Sequence, residues 1–159
     1  MNRLGREICE RITRVVKPAK FKKHGSNWYA TLRDCIAVIN LQKSQWSNRY
    51  YINIGVSPSD LIGRKTALEE DFDIRIRASQ LTGCESLDDA LNFADEVESL
   101  DAAASATLGE CLRQQVMPFL MSLSTIEAIK EFLRSPLASR IAVRIRLREY
   151  FERQETGAK

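Results

Sequence analysis

Apolar and polar side chains alternate with a period of two residues in three segments of the chain, 35–43, 50–57 and 72–77. Successive side chains of a β-strand point to opposite faces of a sheet, so this pattern predicts strands that bury one face only. The apolar set is Ala37, Ile39, Leu41, Ile52, Ile54, Val56, Phe72, Ile74 and Ile76. The opposite set is Asn40, Gln42, Ser44, Tyr51, Asn53, Gly55, Asp73, Arg75 and Arg77. Because the three strands agree, we expect the apolar set to pack against helices and the opposite set to share an open face.

The same region predicts how the sheet is connected. A further strand is expected at 28–33, after a turn at 24–27. The four strands are short, rich in β-branched and aromatic residues, and close in sequence, which favours an antiparallel meander. Ile36 and Val38 interrupt the polar set at one end, so we expect that end of the open face to be covered.

Helical periodicity flanks the sheet on both sides. An amphipathic helix is predicted over 3–17, and Pro18 ends it because the residue before a proline avoids the helical region. The second half predicts four helices: one with the stripe Leu87, Leu91, Ala94 and Val97, one bent or ended at Pro118, one with a capping box at 124–127 that ends near Arg134, and one over 137–153. The sequence therefore predicts an α+β fold in one domain, 1–159. It consists of an N-terminal helix (3–17), a four-stranded antiparallel sheet (28–77) and C-terminal helices (86–153) packed on one sheet face.

Composition places the chain among ordinary globular proteins. Hydrophobic residues make up 44% of the 159 residues and charged residues 28%, which excludes wholesale disorder. No apolar run has the length of a membrane helix, and the N-terminus lacks the apolar core of a signal peptide. We therefore expect a cytoplasmic protein without a membrane partner.

Metal and redox chemistry are not predicted. The four cysteines, Cys9, Cys35, Cys84 and Cys111, are far apart in sequence, and His24 is the single histidine. Zinc ligands usually arrive in close pairs, so we expect buried thiols in a reducing compartment, with no metal and no cofactor.

No catalytic motif stands out. The nucleophile elbow and the glycine-rich phosphate loops are absent, and His24 lies in a turn. The acidic residues Asp60, Glu69, Glu70, Asp71 and Asp73 lack the spacing of a calcium loop, so a solvated loop is the favoured interpretation. A nuclease built from Gln42, Asp73, Arg75 and Arg77 is the weakly supported enzymatic alternative, and no catalytic residue is assigned.

The open face carries side chains that suit recognition. Amides and guanidinium groups offer several directional hydrogen bonds, and Tyr and Arg are enriched at interface hot spots. The candidate partner-binding residues are Asn40, Gln42, Ser44, Tyr51, Asn53, Arg75 and Arg77. The alternative is a solvated outer face, which is common in antiparallel sheets.

Charge is unevenly distributed along a chain whose net charge is only +3. Residues 1–23 carry eight basic and two acidic groups, whereas residues 60–101 carry four basic and twelve acidic groups. The favoured interpretation is that these opposite ends pair within the fold; the alternative is a basic partner-binding face.

Arginines recur every four residues in the last predicted helix, at Arg140, Arg144 and Arg148. This arginine row would lie among apolar residues on one helical arc. Three interpretations are open: pairing with the acidic 60–101 segment, docking of an acidic protein or a phosphate backbone, and pairing with the same helix of a second copy in a homodimer. Together with Lys22 and Lys23, the row makes up the candidate site for an anionic partner.

Several motifs resemble one uncharacterised bacterial family, domain of unknown function 4304. The likeness covers nearly the whole chain, least well at 84–101, and includes VMPFL around Pro118 and the STIEAIKEFL segment. The matching positions are Phe21, Lys23, Gly25 and Trp28, then Asn40, Gln42, Lys43 and Ser44, then Tyr51, Asn53 and Gly55. The resemblance implies a bacterial, cytosolic, standalone domain and brings no activity, cofactor or catalytic residue. Its polar positions mostly coincide with the open face; Lys43 falls on the other parity.

These observations lead to a ranked set of functional hypotheses. The first is a non-enzymatic bacterial protein of the immunity, antitoxin or defence-accessory type that binds another protein through the open sheet face. The second is a nucleic-acid-binding module that uses Lys20, Lys22, Lys23 and the arginine row, although the stacking aromatics typical of such modules are missing. The third is the nuclease or hydrolase described above.

Overall fold

The computed structural model describes residues 1–62 and 68–157. Six antiparallel strands form one sheet in the order β1-β2-β3-β4-β5-β6, so each strand pairs with its neighbour in sequence. The strands are β1 (Lys22–His24), β2 (Asn27–Thr31), β3 (Cys35–Lys43), β4 (Tyr50–Pro58), β5 (Ile74–Arg77) and β6 (Ala142–Val143). The helices are α1 (Arg3–Val16), α2 (Ser59–Ile62), α3 (Leu87–Ala90), α4 (Ala102–Cys111), α5 (Met117–Ser122), α6 (Ile126–Phe132) and α7 (Ile145–Thr156). The predicted α+β class and the antiparallel meander are confirmed.

The N-terminal helix forms where the sequence predicts it. The Asn2 side chain caps α1 by accepting a hydrogen bond from the Gly5 N–H at 2.9 Å. The buried face of α1 consists of Leu4, Gly5, Ile8, Cys9, Ile12 and Val16. All of these residues except Gly5 belong to the main core. A short 3-10 turn, Lys17–Ala19, contains Pro18 and ends the helical path.

The two central strands fix the register of the sheet. β3 and β4 have nine residues each and pair along their whole length. Their register aligns Ile39 with Ile54, and β5 extends the row with Ile76. All three side chains are buried in the main core, so the predicted inward set is correctly assigned at these positions.

The sheet has two more strands than predicted. β1 has three residues and β6 has two, so neither is long enough to show a period in the sequence. β1 joins β2 through a two-residue turn in which Gly25 adopts a φ of +61°, a conformation that glycine tolerates best. β6 pairs with β5 only at Ile74 and Arg75.

The fourth strand begins later than the sequence predicts. β5 begins at Ile74 rather than at Phe72, and Phe72 lies in a separate apolar cluster with Val38 and Ile62. This cluster belongs to the open side of the sheet, where Val38 lies opposite Gly55. The predicted cover over Ile36 and Val38 is therefore confirmed, and Phe72 supplies part of it.

Phe72 can pack closely against the sheet because position 55 is a glycine. A Cβ atom at position 55 would lie 2.8 Å from the Phe72 Cβ and 2.9 Å from the Val38 Cγ1. Phe72 is fully buried, so the missing side chain of Gly55 is the space in which its ring packs.

The predicted helix with the stripe Leu87, Leu91, Ala94 and Val97 is wrong beyond its first turn. α3 ends at Ala90, and Ala94 is exposed. The buried Asn48 amide donates hydrogen bonds to the carbonyls of Ala94 (3.0 Å) and Val97 (3.1 Å). Two backbone carbonyls of this loop thus accept hydrogen bonds from a side chain that is distant in sequence, instead of from the N–H groups of a helix.

The next helices follow the prediction with two local changes. α4 and α5 are joined by a wide π-helical turn, Leu112–Val116, which ends two residues before Pro118. A proline ring clashes with the carbonyl four residues earlier, and the wide turn contains that carbonyl. The side chain that caps α6 is Thr125, which accepts from the Ala128 N–H, rather than the first residue of the predicted capping box.

The last helix begins eight residues later than predicted. Residues Leu137–Arg140 form a 3-10 turn, Ala142–Val143 form β6, and α7 starts at Ile145. The Arg144 N–H donates to the Asp73 carbonyl at 2.8 Å, so sheet pairing takes the backbone groups that a longer helix would need. The predicted arginine row on one helical arc is therefore wrong.

The cysteines depart from the prediction of four thiols. Cys84 and Cys111 form a disulfide with a Cα–Cα distance of 5.4 Å, whereas Cys9 and Cys35 are buried thiols. Burial raises the pKa of the Cys35 thiol to about 12, so this thiol stays protonated at neutral pH. Within the described ranges, no helix has the length and apolar character needed to cross a membrane.

We expect the Gly55→Ala variant to lose about 1–3 kcal/mol of unfolding free energy, because overpacking forces Phe72 and Val38 to move. Urea denaturation followed by circular dichroism measures this loss. Thr31→Ala, at an exposed strand position, is the matched control and should change stability far less. An unchanged midpoint for Gly55→Ala would show that the ring does not depend on this space.

Reduction of the Cys84–Cys111 disulfide should cost about 2–4 kcal/mol, because the bond closes a loop over a sequence separation of 27 residues. The measurement is urea denaturation with and without dithiothreitol. The double variant Cys84→Ser/Cys111→Ser should not respond to the reductant, and a wild-type protein that also does not respond would contradict the bond.

Candidate functional site

The open side of the sheet carries a continuous set of polar side chains, which we call the polar face. The register places Asn27, Asn40, Asn53 and Arg77 in one row across β2 to β5, with Gln42 and Tyr51 paired beside it and Arg75 opposite Gly55. The polar face thus consists of Asn27, Asn40, Gln42, Tyr51, Asn53, Arg75 and Arg77. Six of the seven predicted partner-binding residues meet here.

A chain of carboxamides forms the centre of the polar face. The Asn40 amide donates to the Asn27 Oδ1 at 2.8 Å. The Asn53 amide donates both to the Asn40 Oδ1 at 3.2 Å and to the Gln42 Oε1 at 2.9 Å. These bonds orient four side chains relative to one another before any ligand arrives.

An arginine and a tyrosine stack at one side of the carboxamide chain. The Arg77 guanidinium lies 4.0 Å from the centroid of the Tyr51 ring, a cation–π contact. One of its nitrogens, Nη1, is 3.7 Å from the Asp88 Oδ2 on α3. The backbone N–H of Arg77 donates to the Gln80 Oε1 at 3.0 Å. The stack on the ring therefore orients the guanidinium, and the Asp88 carboxylate lies within ion-pair distance of it.

A forked ion pair stands above the middle of the face. Arg75 donates through Nε and Nη2 to the two carboxylate oxygens of Glu69, at 3.0 and 3.2 Å. The hydrogen bonds that Arg75 donates to Glu69 raise the pKa of the Arg75 guanidinium, so it carries its charge at every physiological pH.

Two grooves adjoin this ion pair, and both are lined by Glu69 and Arg75. The larger groove, of about 510 Å³, continues along Arg77 and α3 to the segment 140–142. The smaller groove, of about 280 Å³, continues over Asn27, Asn40 and Gln42. The polar face is therefore concave on each side of the Arg75–Glu69 pair.

Ser44 and Lys43 lie outside this arrangement. Ser44 follows the end of β3, and its hydroxyl accepts from the Trp46 N–H at 3.2 Å within the loop to β4. Lys43 is on the other parity, as the sequence indicated, with its ammonium 5.9 Å from the Tyr50 ring centroid.

The five residues predicted for an anionic partner are dispersed. Lys22 and Lys23 lie on β1, at one edge of the sheet, while Arg140 lies next to β6 at the other edge. Arg144 precedes α7 and donates to the Glu70 carbonyl, and Arg148 is exposed on α7. The structure does not unite them into one patch.

The expected pairing between the two charged ends of the chain is also wrong. In the part of the chain that the structure describes, no ion pair joins residues 1–23 to residues 60–101. Three acids of this segment, Glu69, Asp88 and Asp73, instead pair with Arg75, Arg77 and Arg146.

The four residues of the nuclease hypothesis do not form a common site. The Asp73 carboxylate is fully buried and accepts from the Arg146 Nε at 2.5 Å, so it is not presented to solvent with Gln42, Arg75 and Arg77. Among residues 1–62 and 68–157, no group of three or more potential metal ligands is found. In the acidic run, Glu69 is engaged by Arg75 and Asp71 accepts from the Leu68 N–H.

Sequence reasoning missed three residues that shape the face and an exposed tryptophan in a neighbouring loop. Asn27 was assigned to a turn, although extending the second strand by one residue would have placed it in the polar set. Glu69 and Asp88 reach the face from segments without a period, so only tertiary packing reveals them. Trp46, in the β3–β4 loop, is 93% exposed, which is unusual for a tryptophan and makes it a candidate contact residue.

The comparison with protein families identifies the chain. A family model described as domain of unknown function (DUF4304) matches residues 12–122. The chain belongs to this family. The matched region includes the entire polar face and the disulfide, while α6, β6 and α7 lie beyond it. No match was found among curated proteins or among solved structures.

We expect the Arg146→Met variant to lose about 3–5 kcal/mol of unfolding free energy, because it leaves the buried Asp73 carboxylate without its charged partner. Arg148→Met, at an exposed position two residues later in α7, should leave stability nearly unchanged. Thermal or urea unfolding of the two variants checks this difference, and equal midpoints would contradict a structural role for the Asp73–Arg146 pair.

Proposed function

We propose that this chain is a non-enzymatic protein that binds another protein through the polar face. The observation that carries the proposal is the hydrogen-bonded carboxamide chain beside the Tyr51–Arg77 stack. Side chains that are already held in place lose little conformational entropy when a partner binds, whereas freely rotating surface side chains lose more.

The shape of the polar face supports a macromolecular partner. Two grooves lie side by side on one sheet face, and the exposed Trp46 projects from the loop next to the Gln42–Tyr51 pair. Tryptophan, tyrosine and arginine are the residue types that most often dominate binding energy at protein interfaces. A partner that covers the face would therefore find an anchor, a polar centre and two recesses.

The proposed biological setting is that of a small bacterial, cytoplasmic immunity, antitoxin or defence-accessory protein. This class follows from analogy with other small bacterial single domains and not from the geometry. In that setting the chain would act by forming a stoichiometric complex with its partner.

Nucleic-acid binding is the second candidate. It is favoured by three exposed lysines, Lys20, Lys22 and Lys23, on and before β1. Binding through phosphate contacts would weaken steeply as salt is raised, which distinguishes it from recognition through the polar face.

The test is capture of the partner from the native cell, followed by reconstitution with purified proteins. We expect a 1:1 complex with the wild-type chain and at least about tenfold weaker binding by Asn40→Ala/Asn53→Ala, because several directional hydrogen bonds are lost. The matched control is Asn92→Ala/Gln114→Ala, which changes two exposed amides outside the polar face and should bind like wild type.

A second variant guards against loss of folding. Gln42→Glu keeps the acceptor that Asn53 needs and adds a negative charge to the polar face, so the chain should fold while its affinity for the partner changes. If both polar-face variants fold and bind the partner with wild-type affinity, the proposal is wrong.

A further inference from the structure

The larger groove contains an arginine that has no internal role in the described fold. Arg140 is exposed, and no hydrogen bond or ion pair joins it to another residue of the described ranges. Its backbone is nevertheless fixed, because it ends a 3-10 turn and Ala142, two residues later, pairs with Arg75 in the sheet. The chain thus holds an unpaired guanidinium at the rim of a recess.

Arg77 lies in the same groove and is only partly engaged. Its face stacks on Tyr51, which leaves the edge N–H groups of the guanidinium directed away from the ring. The Asp88 oxygen at 3.7 Å from Nη1 is beyond ordinary hydrogen-bond distance. Arg77 therefore retains donors for a ligand, in contrast to Arg75, whose Nε and Nη2 both donate to Glu69.

The charges of the groove select the kind of ligand. Among the described residues that line the groove, Arg75, Arg77 and Arg140 provide three positive charges, and Glu69 and Asp88 provide two negative ones, so this set has one positive charge in excess. A carboxylate carries one negative charge and two oxygens that match the planar fork of a guanidinium. A phosphate group carries about 1.5 to 2 negative charges at neutral pH, which is more than the one positive charge in excess. The nearby Asp88 carboxylate would repel this additional negative charge.

We propose that the larger groove is a carboxylate-binding site in which Arg140 and Arg77 donate to the two oxygens of the ligand. The inference rests on the proposed function in one respect: the carboxylate is expected to be an acidic side chain of the protein partner. A free small carboxylic acid would present the same chemistry, and a volume of about 510 Å³ lies within the range of small-molecule sites. Ser79 and Gln80, which also line the groove, offer further polar contacts to the ligand.

The test uses two carboxylate probes and one phosphate probe with the full chain. The probes are N-acetylglutamate methylamide, which mimics an acidic side chain of a protein, acetate, which represents a free acid, and inorganic phosphate. Each is titrated into ¹⁵N-labelled protein while the Nε–Hε signals of the arginines are followed by NMR. We expect saturable shifts of the Arg77 and Arg140 signals with the carboxylates, in the millimolar range that is normal for ligands of few atoms.

Variants of Arg140 test the assignment directly. Arg140→Gln should weaken the carboxylate probes by about tenfold, as expected for one lost charge-assisted hydrogen bond. Arg140→Lys, which keeps the charge but not the fork, should bind with intermediate affinity. Arg148→Gln, at an exposed arginine on α7, is the matched control and should bind like wild type.

The outcomes separate this inference from the proposed function. Stronger binding of the glutamate mimic than of acetate supports an acidic side chain, whereas the reverse supports a free acid as the ligand. The absence of saturable shifts, equal weakening in Arg140→Gln and Arg148→Gln, or tighter binding of phosphate than of both carboxylates would overturn the carboxylate site. Partner capture that depends on Asn40 and Asn53 would then still support the proposed function. Conversely, the probes could bind as expected while Arg140→Gln leaves the affinity for the protein partner unchanged. That result would show that the groove binds carboxylates but is not part of the interface with the partner.

Discussion

The pairing of β3 with β4 is the constraint on which the remaining structure depends. Nine residues of each strand are aligned, so the identity of the buried face is decided at every second position at once. A slip of β3 by one residue would turn Asn40 into the core and expose Ile39, and the same slip of β4 would exchange Asn53 with Ile54. The cost of such a slip is large because burying an amide without a partner and exposing an aliphatic side chain are both unfavourable. The register of β3 and β4 thus decides both which side chains form the core and which form the polar face.

This dependence explains which parts could be predicted from the sequence. α1, β3 and β4 are long and periodic, so their side-chain pattern carried enough information to place them and to separate the two faces. β1 and β6 are too short to show a period, and the backbone groups of Arg144 are taken up by Asp73 in a way that no local pattern records. The Cys84–Cys111 pair is separated by 27 residues without a motif, so only the packing of α4 brings it together. The candidate site divides in the same way: its strand residues were predictable, whereas Glu69, Asp88 and Arg140 reach it through tertiary contacts.

Four of the described arginines fall into two groups once their partners are known. Arg75 and Arg146 pair with Glu69 and with the buried Asp73, two carboxylates of the acidic connection between β4 and β5. Arg140 and Arg148 have no ion-pair partner among the described residues. The spacing of four that relates Arg140, Arg144 and Arg148 in the sequence has no counterpart in space, because β6 lies between Arg140 and the start of α7. Position relative to the sheet, and not spacing along the chain, therefore decides which guanidinium is available to a ligand.

Gly55 has a consequence beyond the packing of one ring. The backbone at this position is the floor on which Phe72 rests, and Phe72 directly follows the 3-10 turn Glu69–Asp71 that carries the acid facing Arg75. The absent side chain thus sets how low the connection can lie over the sheet, and with it the height of the ridge between the two recesses. The surface shape that a ligand would contact therefore depends on a glycine, whose side chain is one hydrogen atom, in the sheet below it.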